Sequence, residues 1–278
     1  MLSTKEITEF QKKILTFAKS NYREFPWRNT INPYEILVSE VMLQQTQTER
    51  VVSKYNAWLQ VFPDVQSLAK ASLKEVLTYW NGLGYNRRAR FLQQAAQIIV
   101  KEYDGSFPKD EALIDELPGV GEYTAKAVAC FAFGTPEVFI ETNIRTVYLY
   151  EFFSSRCNGG GTKNAVDDKD LLPLIEQTLF KKDVRLWYYA LMDYGAQIKK
   201  TVANPNRVSK NYAKQSKFNG SLRQARGAII RQLTKKKSLS LEQIAKLEGM
   251  EVERIQKAAE KLLAENLIQK KNGALQIK

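Results

Sequence analysis

The stretch Glu116–Gly134, ELPGVGEYTAKAVACFAFG, decides how the rest of the chain reads. Leu117 is an apolar anchor, Pro118 is a turn-former, and Gly119 and Gly121 bracket Val120 ahead of a run of helix-forming residues. The pattern predicts a short hairpin between two helices, because glycine enters positive φ without steric penalty and lets a partner approach the backbone closely. The amides of Gly119, Val120 and Gly121, with the positive end of the helix that follows, can then converge on an anion. Lys126, almost one turn along that helix, faces either a phosphate or solvent. An ordinary helix-to-helix turn uses the same residues, so the flanking sequence has to decide.

Working outward, apolar residues recur at helical spacing. Ile7, Phe10, Ile14 and Phe17 mark a first helix over about 4–22, and FPWR breaks it. A helix rich in Ile36, Leu37, Val41, Met42 and Leu43 follows. Further helices are predicted over 48–61, 73–80, 87–103, the segment after the hairpin, 142–153, 171–180 and 185–196. No alternating strand pattern precedes residue 266, so the fold class is mainly α. The glycine-rich run Ser155–Asp170 lacks the G-x-x-x-x-G-K-[ST] spacing of a phosphate cradle and reads as a connector. After Asn219 come a helix over 222–233, a second opened by the capping box Ser240-x-x-Gln243, and a third over 251–265. Asn272-Gly273 then joins two short alternating runs, a hairpin signal. Three helices and a hairpin match a winged-helix-like module, which contacts either DNA, through its third helix and Lys270/Lys271, or another protein.

Composition narrows the function classes. With 278 residues and 44% hydrophobic content the chain can bury a sizeable core. No run of 18 apolar residues appears and MLSTKEITEFQKK lacks a signal-peptide core, so the expectation is a soluble, cytoplasmic protein with no membrane partner. Cys130 and Cys157 are the only cysteines, too few for a four-thiolate iron–sulfur cluster and not in a C-x-x-C pair, so no metal or other cofactor is expected. Histidine is absent, which leaves proton transfer to carboxylates, lysines and tyrosines. The net charge of +12 lies in one segment: between Lys199 and Leu241 there are twelve Lys and Arg and no Asp or Glu. A one-sign tract interleaved with Asn204, Tyr212, Gln215 and Phe218 implies contact with a polyanion, and a DNA phosphate is then the anion expected at the hairpin.

Five further segments surround the hairpin: PWR at Pro26–Arg28, SEVMLQQTQ at Ser39–Gln47, NGLGY at Asn81–Tyr85, ETNIRTV at Glu141–Val147 and LMDYGA at Leu191–Ala196. Together they resemble the helix-hairpin-helix superfamily of DNA base-excision glycosylases, and most of all the MutY-like adenine glycosylases, over about residues 10–200. The resemblance implies a two-lobed helical glycosylase domain over 1–215, with lobe A at about 30–134 and lobe B from 1–29 plus 135–215. The winged-helix-like module would occupy 216–278, after a basic linker at about 199–220.

The same resemblance implies site roles. Cleaving an N-glycosidic bond needs protonation of the departing base and a negative group beneath a sugar with oxocarbenium character. Glu40 matches the glutamate that protonates adenine, and its apolar surroundings, VSEVML, would keep its proton on to near neutrality. Glu141 stands where the family has aspartate and would stabilise the cationic sugar, its extra methylene displacing the carboxylate by about 1.5 Å unless the backbone compensates. Asn143 would orient this group. Tyr123 fills the position of the Schiff-base lysine of bifunctional members, which implies no β-lyase step. Gln44, Gln45 and Tyr85 match residues that wedge into the space left by a flipped base, and Trp27 and Arg28 match a base-pocket segment. A monovalent cation at the hairpin would accord with related proteins.

Three departures stand beside these matches. Lys199 occupies the first position of the cluster cysteines, the Nudix-like domain that reads 8-oxoguanine is replaced by the winged-helix-like module, and Tyr189 stands where adenine meets Gln or Glu. The expectation is a monomeric, nucleoid-associated enzyme acting on double-stranded DNA, excising adenine opposite guanine or 8-oxoguanine. The alternatives are a glycosylase for thymine or uracil opposite guanine, one for hypoxanthine, and a non-catalytic damage-binding protein.

Overall fold

A computed structural model of the chain describes residues 1–153, 165–214 and 217–278. Cys157, Gln215 and most of the glycine-rich run lie outside the described residues. Fourteen α-helices are described: α1 (Thr4–Asn21), α2 (Pro33–Leu43), α3 (Thr48–Val61), α4 (Val65–Lys70), α5 (Leu73–Trp80), α6 (Arg87–Glu102), α7 (Glu111–Asp115), α8 (Glu122–Phe133), α9 (Thr142–Phe152), α10 (Asp168–Thr178), α11 (Val184–Thr201), α12 (Leu222–Lys235), α13 (Leu241–Glu248) and α14 (Val252–Ala264). One antiparallel hairpin, β1 (Ile268–Lys271) and β2 (Ala274–Ile277), completes the described elements. The chain divides into two compact units, Met1–Pro33 with Gly121–Lys214, and Tyr34–Val120 with Gln215–Lys278.

The first unit is built on α9 and α11. α1 opens with a capping box in which Ser3 Oγ accepts from the Glu6 amide and the Glu6 carboxylate accepts from the Ser3 amide. Its Phe10 packs against Tyr148, Phe152 and Trp187 at ring distances of 5.5, 5.1 and 5.8 Å. Gly195 of α11 lies against the first turn of α9: a methyl group there would sit 2.1 Å from the Asn143 carbonyl oxygen. The only side chain that fits is hydrogen, so the glycine of LMDYGA sets how closely these helices approach.

Two polar clusters complete this unit. The buried Asp193 carboxylate receives both terminal nitrogens of Arg28, at 2.7 and 2.9 Å, and the Arg23 amide at 3.0 Å. After α11, the buried Asn206 donates to Thr142 O at 3.2 Å and to Thr146 Oγ1 at 2.6 Å. Val166 and Val208 then join backbones at 2.8 Å, and Asn211 donates to Asp168 at 2.7 Å. The expected basic linker is therefore different in its first half: residues 199–201 end α11 and 204–211 are fastened to α9 and α10, because the asparagines find backbone and carboxylate acceptors there.

The chain passes from the second compact unit to the first at 120/121. The helix α8 packs on α11, and Phe131 stacks on Tyr189 with ring centroids 4.5 Å apart, so α8 goes with the first unit. It is capped by Gly121 at its start and by Gly134 at its end, the latter in the left-handed region with a φ of 73°.

In the second unit α2 is buried on every side from Ile36 to Met42, and Trp58 of α3 meets Trp80 of α5 and Phe62 at 5.6 and 4.8 Å. Arg88 of α6 donates to Val41 O at 2.6 Å, Gln44 O at 2.8 Å, Leu83 O at 3.2 Å and Gly84 O at 3.3 Å. One guanidinium thus ties the end of α2 to the loop after α5. The C-terminal helices and hairpin take the expected three-helix-and-hairpin form, with Asn272 and Gly273 both at positive φ in the turn. They do not stand apart: α12 packs on α5, and the module clusters with 34–120.

Gly195→Ala should lower the unfolding free energy by about 1–3 kcal/mol through overpacking, although alanine gains up to ~1 kcal/mol at an unobstructed helix position. Urea denaturation measures the balance; a variant as stable as its parent would mean that α9 and α11 do not touch at this point.

Candidate active site

Glu141 is the N-cap of α9. Its Oε1 accepts from the amides of Asn143 at 2.7 Å and Ile144 at 2.9 Å, and Oε2 accepts from Asn143 Nδ2 at 3.3 Å. The longer side chain therefore curls over the helix terminus, so that a carboxylate is held where the α9 dipole is positive. Part of the residue's surface stays open, while the carboxyl oxygens sit among protein groups. Burial raises its pKa above the ordinary value of 4.5, against the two amides and the charges of Lys199 and Arg145. Lys199 is lowered by burial and partly restored by Glu141. The lysine at the first expected cluster position is thus an electrostatic neighbour of the acid.

Around this group the unit places an aromatic floor. Phe139 stacks on Tyr188 at 3.9 Å and meets Tyr123 and Phe131 edge-on at 5.7 and 6.0 Å. Tyr123 is half-buried on α8, where Lys126 pairs with Glu122 at 2.6 Å. Trp27 is buried and stacks on Phe25 at 5.1 Å, and the Arg28 guanidinium lies 4.4 Å from the centre of the Tyr189 ring. Arg28 thus joins Tyr189 to Asp193, and Trp27 precedes it in the chain. The sequence reading passed over Asp193, whose signal was an acid in the apolar helix stretch LWYYALMD, and Asn206, which had none.

The second unit holds the other expected residues. Glu40 is buried in α2, 7% exposed, between Ser39 and Val41. Gln44 and Gln45 follow the end of the helix and Tyr85 closes the other loop; Gln45 and Tyr85 have φ of 54° and 44°, conformations that L side chains seldom adopt. Arg88 was missed, yet it anchors both loops. In the hairpin, Gly119 has φ 76° and a side chain there would meet Phe91 at 2.5 Å. The Val120 amide closes the turn onto Leu117 O at 3.0 Å and is therefore already engaged within the hairpin.

Residues 38–191 match the profile of the HhH-GPD superfamily of base excision DNA repair proteins. The chain belongs to this superfamily. It is 36% identical over 186 residues to an adenine DNA glycosylase of Mycobacterium tuberculosis, across 66% of this chain and 60% of that protein. It therefore spans less than two thirds of that relative's length. A thymine/uracil-DNA glycosylase of Methanothermobacter thermautotrophicus is 32% identical over 191 residues, 68% of this chain and 84% of that one. The structure of a thermostable thymine-DNA glycosylase superposes with a TM-score of 0.63 at 29% identity, covering 73% of this chain and 92% of that one. Among the described residues no helix is long and apolar enough to cross a membrane, and no cluster of three or more Cys, Asp or Glu is arranged to hold a metal ion.

The raised pKa of Glu141 has a stability consequence. Between pH 4.5 and the raised value the folded state binds more protons than the unfolded one, so stability falls as pH rises through that window. Glu141→Gln removes the buried charge and keeps an oxygen for the cap. The variant should unfold at the same or higher urea concentration than its parent near pH 7, with the gap closing near pH 4. A marked loss of stability near neutrality would show that capping outweighs burial.

Proposed function

We propose that the protein is a monofunctional adenine DNA glycosylase, releasing adenine mispaired with guanine or 8-oxoguanine in double-stranded DNA. The observation that carries the reading is the buried Glu141 carboxylate, held by two amides at the head of α9 with Asn143 beside it. Such a group suits a cationic sugar, because it is fixed before charge develops and needs no rearrangement. Glu40 donates a proton to the adenine ring; the C1′–N bond breaks with its electron pair leaving on the base, and water adds its oxygen to C1′ while its proton returns to the Glu40 carboxylate. Tyr123 cannot form an imine, so an intact abasic strand is the product.

Several features support this choice. QQTQ after Glu40 and the 36% identity to an adenine glycosylase favour adenine. The fastened segment 204–211 takes over the work of a cluster loop by hydrogen bonding, so no cofactor is needed. The basic tract gives DNA affinity that falls steeply with salt. The enzyme would act as a monomer at the nucleoid. A second reading, thymine or uracil opposite guanine, is favoured by Tyr189 and by the archaeal relative of which this chain covers 84%.

Labelled duplexes with A opposite 8-oxoguanine, A opposite G, T opposite G, U opposite G and hypoxanthine opposite T test the proposal. Breaks that require alkali should appear on the adenine strands, and Glu40→Gln or Glu141→Gln should each slow single-turnover release by about 10²–10³-fold with binding retained. The rate should fall on the acid side as Glu141 is protonated, at a pH above 4.5 because burial raises its pKa. Breaks on thymine or uracil strands would transfer the assignment to the second reading, and tight binding without release would leave a damage-binding protein.

A further inference from the structure

A cavity of about 340 Å³ opens in the second unit, near the lower end of the range for ligand pockets, about 300 Å³. One side is made by Gln44, Gln45 and Tyr85; the other includes Arg226 of α12 and Glu265, just after α14. The C-terminal module thus supplies two walls of the pocket that the strained loops face. The arrangement is fixed by several contacts. Arg226 pairs with the Glu265 carboxylate, and Arg90 of α6 donates to the Glu265 carbonyl. Arg223, one turn before Arg226, donates to the Tyr85 hydroxyl at 3.1 Å with its guanidinium 5.6 Å from the ring centre. Arg226 and Glu265 keep 22% and 20% of their side-chain surface, so both can be reached.

Neighbouring donor and acceptor groups at the wall of a cavity make a reader of hydrogen-bonding edges. A guanidinium fork fits the O6 and N7 acceptors of guanine, and a carboxylate accepts from its N1–H and N2 amino group. Cytosine and thymine present no such combination, and adenine has an amino group where guanine has O6. The aromatic face of Tyr85 and the amides of Gln44 and Gln45 supply stacking and further polar contacts. From this geometry we infer that Arg226 and Glu265 form a specificity site for a guanine-class base in the strand opposite the excised nucleotide. The inference rests on the glycosylase reading above. It gives the C-terminal module a share in substrate choice beyond phosphate contact.

Binding to duplexes that already carry a tetrahydrofuran abasic analogue opposite guanine, hypoxanthine or cytosine tests it without any base release. The intact chain should bind the guanine duplex about tenfold more tightly than the cytosine duplex. Glu265→Met, which keeps the length but removes the oxygen acceptors, should erase the difference between guanine and hypoxanthine, which lacks the amino group. Arg226→Lys, which keeps the charge facing Glu265 but not the fork, should reduce the preference over cytosine to about twofold. The inference is overturned if the parent shows no preference, if the preference survives both substitutions, or if affinity falls equally for all three duplexes, as loss of docking or of a phosphate contact would produce. Because the analogue has no base to excise, a failure to release adenine sinks the adenine reading and leaves this one decidable.

Discussion

Placing one carboxylate under the first turn of a packed helix is the constraint on which the first unit depends. Two charge-assisted hydrogen bonds at about 1.5–3 kcal/mol each, and a helix terminus contributing up to ~2 kcal/mol, oppose a desolvation penalty of several kcal/mol. These terms are of similar size, and the raised pKa of Glu141 says that burial prevails. A group so balanced is held in place without being comfortable as an anion. A positive charge developing beside such an anion, as in the proposed reaction, would be stabilised by a group already fixed in place. The contact between Gly195 and Asn143 and the hydrogen bonds from Asn206 exist to keep the head of α9 from relaxing.

Segment 204–211 is fastened by a buried asparagine, a short backbone pairing and contacts to Asp167 and Asp168. Each hydrogen bond contributes about 1 kcal/mol net, so several are needed and their loss is gradual. The basic character of the tract serves both purposes: Lys210 meets Asp167 at 3.2 Å, and the remaining cations keep the surface attractive to a polyanion.

Local rules are enough for much of this architecture. Helical periodicity locates the main helices because most have one apolar face, and α2 is legible from its density of apolar residues despite Glu35, Ser39 and Glu40. Gly134, the capping box at Ser240 and Asn272-Gly273 are backbone signals with nearly unique solutions. Glu40 and Glu141 stand out in sequence because a carboxylate in an apolar helix stretch or at a helix head is chemically conspicuous, whereas a residue whose partners are distant leaves no local signal. Nothing local tells that Arg88 will collect carbonyls from two loops or that Asp193 will bind Arg28. The passage between the compact units at 120/121 is illegible in sequence for the same reason: α8 is contiguous with the hairpin, yet it packs on α11, and packing overrides chain proximity.

Long-range partnership also explains why the C-terminal module is no mere appendage. A module that only added positive charge could hang from a flexible tether, since electrostatic attraction acts over about a Debye length, ~10 Å, with little demand on orientation. Reading a base requires side chains held to within about 0.5 Å, and that demands a rigid mount. The mount is present: α12 packs on α5, Leu239 pairs with Leu275 to brace the hairpin, and Arg90 anchors the residue that follows α14. The same contacts press Arg223 against Tyr85, a residue held at a φ of 44° that an isolated loop would relax. Strain in the loop and rigidity in the module therefore have one physical origin, the packing that makes them a single body.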